Sequence, residues 1–187
     1  MYNVYEKTYA YLPDFDKREI LRYAGVKREA DEATLAVLDE CLRESRNVFS
    51  YRVCYCELAK SALLERIPTA ENSESFMQFL GGAEHVIIFA ATVGLGIDRL
   101  INRYVSVSPV KALFFQAIGA ERIEALCESF CQEFGLKKRF SPGYGDFALA
   151  AQAELFAVLG CEKRIGLSLT DSLLMSPTKS VTAIALL

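Results

Sequence analysis

The most apolar run of the chain extends from Val86 to Leu95, and it constrains the fold more than any other feature. A membrane-spanning helix needs roughly 18 consecutive apolar residues, and this run is about half that length. A short apolar run that ends at glycines is typical of a strand buried in the core. The sequence therefore predicts a strand over Val86–Ala91, a turn at Gly94 and then a helix to about Arg103.

Helix and strand patterns follow one another irregularly along the rest of the chain. Helical spacing with capping residues or closing glycines predicts helices near residues 16–24, 31–42, 73–80, 108–134 and 148–159. Alternating patterns predict strands over 48–58 and in two runs between 167 and 187, whereas 61–68 fits a strand or a short helix. Because there is no strict βαβ order, we expect an α+β fold with a mixed or antiparallel twisted sheet flanked by helices.

The length of 187 residues is that of one domain. We expect a single domain over residues 1–187, with a helical N-terminal segment at 1–47 and an α+β body at 48–187.

Charge and hydropathy argue against several classes of partner. The net charge is −3 and the pI is near 5.4, whereas a nucleic-acid-binding domain usually carries a basic face. The basic run Lys137–Arg139 is too short to change that expectation. Residues 1–7 lack the apolar segment of a signal peptide, so we expect a cytoplasmic protein without nucleic-acid or membrane partners.

Cysteine spacing favours structural thiols over a metal site. Cys54 and Cys56 are two residues apart in a strand pattern, and Cys127 and Cys131 are four apart in a helical one, so neither pair is a CxxC motif. The one histidine, His85, precedes the apolar run, where a strand-edge position is expected rather than a catalytic one. In a reducing cytosol we expect the six cysteines to be buried thiols without a metal: Cys41, Cys54, Cys56, Cys127, Cys131 and Cys161.

Two glycines follow the apolar run at the place where a phosphate-binding loop would lie. Gly94 and Gly96 are in position, but Arg99 stands where the dinucleotide pattern requires a third glycine. A tight strand-to-helix turn is therefore the favoured interpretation, and a nucleotide-binding enzyme using these glycines is disfavoured. No hydrolase or metalloprotease motif occurs in the sequence.

The loop from Arg139 to Asp146 holds the most informative residues for function. Pro142 fixes a backbone angle, and Gly143 and Gly145 allow the backbone to approach a ligand closely. Arg139 offers a planar fork for a carboxylate, and Tyr144 a flat apolar face with a hydroxyl. These groups suit an amino-acid nucleoside such as S-adenosylmethionine, but an ordinary loop with a salt-bridged arginine and a packed tyrosine fits the residues equally well.

The loop also resembles a known motif. Arg139-x-x-Pro142-Gly143-Tyr144 is similar to the RxxPGY signature in the activation domain of cobalamin-dependent methionine synthase. The resemblance covers roughly residues 85–187. It implies that the chain is such an activation domain, occurring here as a stand-alone protein. Further similar blocks occur in the same order: Phe89–Gly94, Ala117–Arg122, Ile165–Ser172, Met175–Pro177 and Ser180–Ala183.

The resemblance implies a binding site for S-adenosylmethionine. In that family the activation domain binds this cofactor, which remethylates cobalamin after oxidation to an inactive form. Arg139 would bind the ligand's carboxylate, Ser141 and Gly143 would make backbone contacts, and Tyr144 would line the site. Either Glu124 or Glu121 would contact the ligand's amine.

The resemblance also implies partners. The chain lacks the DxHxxG cobalamin-binding motif and the substrate modules of a methionine synthase, so it would be one component of a methyltransferase system. We expect a reactivation component for the reductive activation of cobalamin on a partner methionine synthase that lacks its own activation domain, in methionine biosynthesis. Whether a flavodoxin supplies the electron stays open. The alternatives are a non-catalytic interaction module and an accessory factor for another corrinoid-dependent methyltransferase.

Overall fold

The structure, a computed structural model, describes residues 2–187. Its strands are β1 Tyr5–Tyr9, β2 Tyr51–Ala59, β3 His85–Thr92, β4 Arg139–Phe140, β5 Ser168–Leu169, β6 Met175–Ser176 and β7 Ser180–Leu186. Its helices are α1 Lys17–Tyr23, α2 Glu32–Ser45, α3 Lys60–Arg66, α4 Glu74–Leu80, α5 Gly96–Tyr104, α6 Pro109–Glu133, α7 Ala151–Leu159 and α8 Cys161–Ile165, with a 3-10 turn at Pro68–Asn72. Among residues 2–187, none of the helices combines the length and the apolar character that crossing a membrane requires.

The main sheet has five strands in the order β1-β2-β3-β7-β4, and every neighbouring pair is antiparallel. β5 and β6 form a separate two-stranded sheet. The predicted α+β fold, with an antiparallel sheet flanked by helices, is confirmed.

β3 lies at the centre of the sheet and is buried on both faces. Every position from Val86 to Thr92 is buried, and only His85, its first residue, is exposed. Ile87 and Phe89 point into an apolar cluster with α1, α2, α5 and α6, whereas Val86 and Ile88 point into a second cluster with α3, α4, α7 and α8. The sheet is therefore covered by helices on both faces.

Side-chain caps start three of the helices where the sequence predicts them. Asp16 accepts hydrogen bonds from the backbone N–H groups of Arg18 and Glu19 at the start of α1. Asp31 caps α2, and Ser73 caps α4, each by accepting a bond from a backbone N–H of the first turn.

Two segments differ from the sequence-based expectation, and one open alternative is resolved. Tyr5–Tyr9, within the segment 1–47 predicted to be helical, is an edge strand paired with β2. The ambiguous stretch becomes helix α3. A short helix, α8, follows α7 directly because Gly160, in the left-handed conformation, ends one helix and starts the next. The division into a helical segment and a body otherwise stays a prediction.

All six cysteines are buried free thiols, as predicted. Burial raises the pKa of the Cys41, Cys56 and Cys127 thiols to about 12, which keeps them protonated near neutral pH.

The turn between β3 and α5 brings the backbone close to residue 48. Gly94 has a φ of +81° and donates its N–H to the hydroxyl of Thr92. A Cβ on Gly96 would overlap the carbonyl oxygen of Val48 and lie 2.8 Å from its carbonyl carbon. Glycine is thus required here for backbone packing, which confirms the strand-to-helix turn.

We predict that Gly96→Ala lowers the free energy of unfolding by about 1–3 kcal/mol, because the backbone at Val48 must move to admit the methyl group. Gly82→Ala is the matched control, since a Cβ there meets no atom within 4 Å. Urea denaturation of both variants provides the measurement, and equal midpoints would contradict the packing argument.

Candidate functional site

A cavity of about 270 Å³ lies beside β7, and we call it the β7 cavity. Its walls come from elements on both faces of the sheet and at its edge. They are Glu124 of α6, Arg139 of β4, Ser141, Pro142 and Tyr144 of the following loop, Gln152 of α7, Met175 of β6, and Ser180–Thr182 of β7.

The cavity exists because one edge of β7 is only partly paired. β4 has two residues, and they pair with Ala185 and Ile184 near the end of β7. In the part of the chain that the structure describes, residues 180–183 have no strand partner on that side. Three of them, Ser180, Val181 and Thr182, line the cavity.

Arg139 and Glu124 form an ion pair at the wall of the cavity. Nη2 of Arg139 donates a hydrogen bond to Oε2 of Glu124. Nη1 of Arg139 is buried and has no hydrogen-bond partner among residues 2–187. The residue as a whole lines the cavity, so a ligand that carries a carboxylate would meet a guanidinium there.

The loop after Arg139 is closed by its own backbone. The N–H of Gly143 donates to the carbonyl of Phe147 at 2.7 Å, and the N–H of Phe147 donates to the carbonyl of Tyr144 at 2.9 Å. Phe147 is buried and stacks on Phe76 of α4, with ring centroids 4.5 Å apart. The loop thus holds Tyr144, a residue that is 68% exposed, at the mouth of the cavity.

Asp146 ties the loop to the start of α4. Its carboxylate accepts a hydrogen bond from the hydroxyl of Ser73 at 2.6 Å, from the N–H groups of Glu74 and Ser75, and from the Ser75 hydroxyl. The hydrogen bonds from Ser73 and Ser75 hold the pKa of Asp146 well below its usual range. Gly145 is needed beside this contact, since a Cβ there would lie 2.6 Å from the Ser75 hydroxyl oxygen.

The structure brings together most of the residues singled out in the sequence. Arg139, Ser141, Tyr144 and Glu124 all line the β7 cavity. Gly143 lies between two lining residues, but the loop already uses its N–H. The roles of these five residues in binding a ligand stay predictions.

Glu121, the other candidate for the ligand's amine, does not line the β7 cavity. It is buried and paired with Arg122, and it accepts a hydrogen bond from the N–H of Asp16. Arg122 in turn donates to the carbonyls of Pro13 and Asp14. The pair therefore fastens the segment before α1 to α6, and Glu124 is the acidic residue of the cavity.

Sequence reasoning missed Gln152 as part of the site. Gln152 is 4% exposed in α7, among apolar residues that pack on the sheet. A lone amide on the apolar face of a helix is the signal that could have identified it, because a buried amide needs hydrogen-bond partners.

Comparisons with known proteins establish the fold. No protein-family model and no curated protein sequence matches this chain. Among solved structures, the chain is similar to the MetH reactivation domain bound to AdoHcy, with a TM-score of 0.64 and 15% identity over 98% of this chain and 78% of that one. The chain therefore has the fold of the MetH reactivation domain, which is the fold that the sequence resemblance implies.

We predict that wild-type protein and Asp146→Asn differ in stability by a constant amount above about pH 5, and that the difference shrinks below about pH 4. The folded-state pKa of Asp146 is depressed, so its stabilising effect is complete above the unfolded-state pKa and is lost as the pH falls toward the folded-state value. Urea unfolding of both proteins from pH 2.5 to pH 7 gives the comparison. If the difference in unfolding free energy between the two proteins does not change with pH, the ionised Asp146 carboxylate does not stabilise the loop.

We also predict that Glu121→Gln lowers the free energy of unfolding by about 3 kcal/mol, because it leaves the buried Arg122 charge without its partner. Glu124→Gln should change it by less than about 1 kcal/mol, since Glu124 is half exposed. Chemical denaturation of the two variants in parallel distinguishes the structural carboxylate from that of the cavity, and the opposite order would reverse the assignment.

Proposed function

We propose that this chain binds S-adenosylmethionine in the β7 cavity and acts as a reactivation component, supporting the reductive methylation of cobalamin on a partner methionine synthase. The observation that carries the proposal is the Arg139–Glu124 pair, two opposite charges that both line the cavity.

The amino-acid end of S-adenosylmethionine suits this pair. Its carboxylate accepts hydrogen bonds from a guanidinium, and its ammonium group donates to a carboxylate. Binding would place the carboxylate on Arg139 and the ammonium group on Glu124, so each protein charge keeps an opposite partner when the ligand enters. Because the charges remain balanced, burial of the ligand's own charges costs less.

The fold supports the same ligand class. The MetH reactivation domain, which shares this fold, is bound to AdoHcy in its crystal structure. AdoHcy is S-adenosylmethionine without the S-methyl group and its sulfonium charge, so both ligands present the same amino-acid end and the same base to a site. Tyr144, at the mouth of the β7 cavity, offers an apolar face beside such a ligand.

The cavity is also small enough to leave part of the ligand accessible. At about 270 Å³ it is below the usual range of roughly 300–1,000 Å³ for enclosing ligand sites. A nucleoside amino acid would project from it, which is what delivery of a methyl group to another protein requires. The sulfonium supplies the methyl group and the partner's corrinoid the nucleophile, so this chain's residues serve to bind and orient.

We predict that S-adenosylmethionine binds the wild-type protein and that Arg139→Ala weakens binding by about 10- to 100-fold, the expected effect of losing a hydrogen bond from a charged donor. Isothermal titration calorimetry measures both affinities. Lys138→Ala is the matched control, because it removes a neighbouring positive charge that does not line the cavity. Circular dichroism spectra of all three proteins check that folding is unaffected.

Two results would contradict the proposal in different ways. Absence of binding at millimolar ligand would favour a docking module without a ligand. Equal losses in Arg139→Ala and Lys138→Ala would show a general charge effect and remove the site assignment. If S-adenosylmethionine binds, the proposed reactivation role is tested next. The assay measures methylation of the corrinoid on a partner methionine synthase that lacks its own activation domain.

A further inference from the structure

Gln152, which lines the β7 cavity, is hydrogen-bonded on both sides of its amide. Its side-chain nitrogen Nε2 donates a hydrogen bond to the carbonyl oxygen of Leu173 at 2.8 Å. Its oxygen Oε1 accepts one from the hydroxyl of Thr182 at 3.4 Å. The amide thus lies between β7 and the turn that joins β5 to β6.

The partners of Gln152 fix the orientation of its amide. A carbonyl oxygen can only accept, so the nitrogen must face Leu173 and the oxygen must face Thr182. The turn at Leu173 is itself well defined, with a φ of +63° and a hydrogen bond from the Leu173 N–H to the carbonyl of Thr170. A flipped amide would lose its bond to Leu173.

Half of the hydrogen-bonding capacity of Gln152 is unused. A carboxamide has two N–H donors and two acceptor sites, and within residues 2–187 the Gln152 side chain makes one bond of each kind. The residue is 4% exposed and lines the cavity, so bulk water has little access to the remaining N–H and acceptor site. A ligand in the cavity is the available partner.

We infer that Gln152 determines the specificity of the cavity for adenine; this rests on the proposed S-adenosylmethionine site. Adenine presents an amino donor beside a ring-nitrogen acceptor, and a glutamine amide matches that pair of groups with one acceptor and one donor. Because the amide cannot flip without losing Leu173, it cannot adapt to a base with the opposite pattern.

The positions along β7 fit this assignment. Arg139 pairs with Ala185, whereas Gln152 contacts Thr182, three residues away along the same strand. Both residues line the β7 cavity, Arg139 from the α6 side of the sheet and Gln152 from the α7 side, so a ligand that lies along the open edge of β7 can contact both.

The test compares two ligands that differ in the base alone. S-adenosylhomocysteine carries the 6-amino group, and S-inosylhomocysteine carries a 6-oxo group with a protonated N1. The change reverses the donor and acceptor pattern on the N1 edge and replaces the donor by an acceptor on the N7 edge, so the match to the amide is lost on either edge. Calorimetry gives the ratio of the two dissociation constants for the wild-type protein, for Gln152→Leu, and for Gln116→Leu, a control at an exposed position of α6. The ratio is informative even if Gln152→Leu loosens the turn at Leu173, since that change weakens both ligands alike.

We expect wild-type protein and Gln116→Leu to prefer the adenosyl ligand by about 10- to 100-fold, and Gln152→Leu to bind the two with a ratio near one. A preference that persists in Gln152→Leu, or wild-type protein that binds both ligands equally, overturns the inference and leaves the proposed function intact. Failure of wild-type protein to bind either ligand overturns the proposed function and this inference with it. If Gln152→Leu does not fold, Gln152→Glu replaces it, because the carboxylate keeps an acceptor for Thr182 but loses the N–H groups.

Discussion

Burial of β3 on both faces is the constraint on which the rest of the structure depends. An antiparallel sheet can leave one face in water only if its strands alternate apolar and polar residues. β3 has no such alternation, so each face must be covered by helices. α6 covers one face and α7 the other, and the β7 cavity lies where residues from these two layers meet at the sheet edge.

The two layers contribute different chemistry to the cavity. α6 supplies the Glu124 carboxylate, and α7 supplies the neutral amide of Gln152. The loop between them carries Arg139 at its start and is fastened by Asp146 to α4, in the second layer. A charged end and a neutral hydrogen-bonding end in one cavity suit a ligand that has a zwitterion at one end and a base at the other.

Local signals in the sequence predicted much of the fold and part of the candidate site. The apolar run at β3, the capping residues Asp31 and Ser73, and the Arg139–Tyr144 motif all act within a few residues, so they can be recognised without tertiary information. β1 was missed because its side chains are largely exposed and its stability depends on pairing with β2, far along the chain. Glu121 and Glu124 could not be separated either: they lie on adjacent faces of one helix, and only the position of Arg122 and the segment before α1 decides which is buried.

The position of β7 in the sheet determines which strands can pair before synthesis of the chain reaches β7. β7 follows all the other elements of the cavity in sequence, yet it lies between β3 and β4 in space. A nascent chain that has not yet reached residue 180 can pair β1, β2 and β3 but leaves the apolar edge of β3 open, a surface on which foreign strands can add. The cavity is therefore complete only once residues 180–182 have been made, and until then the edge of β3 is of the kind that exposes a folding intermediate to aggregation.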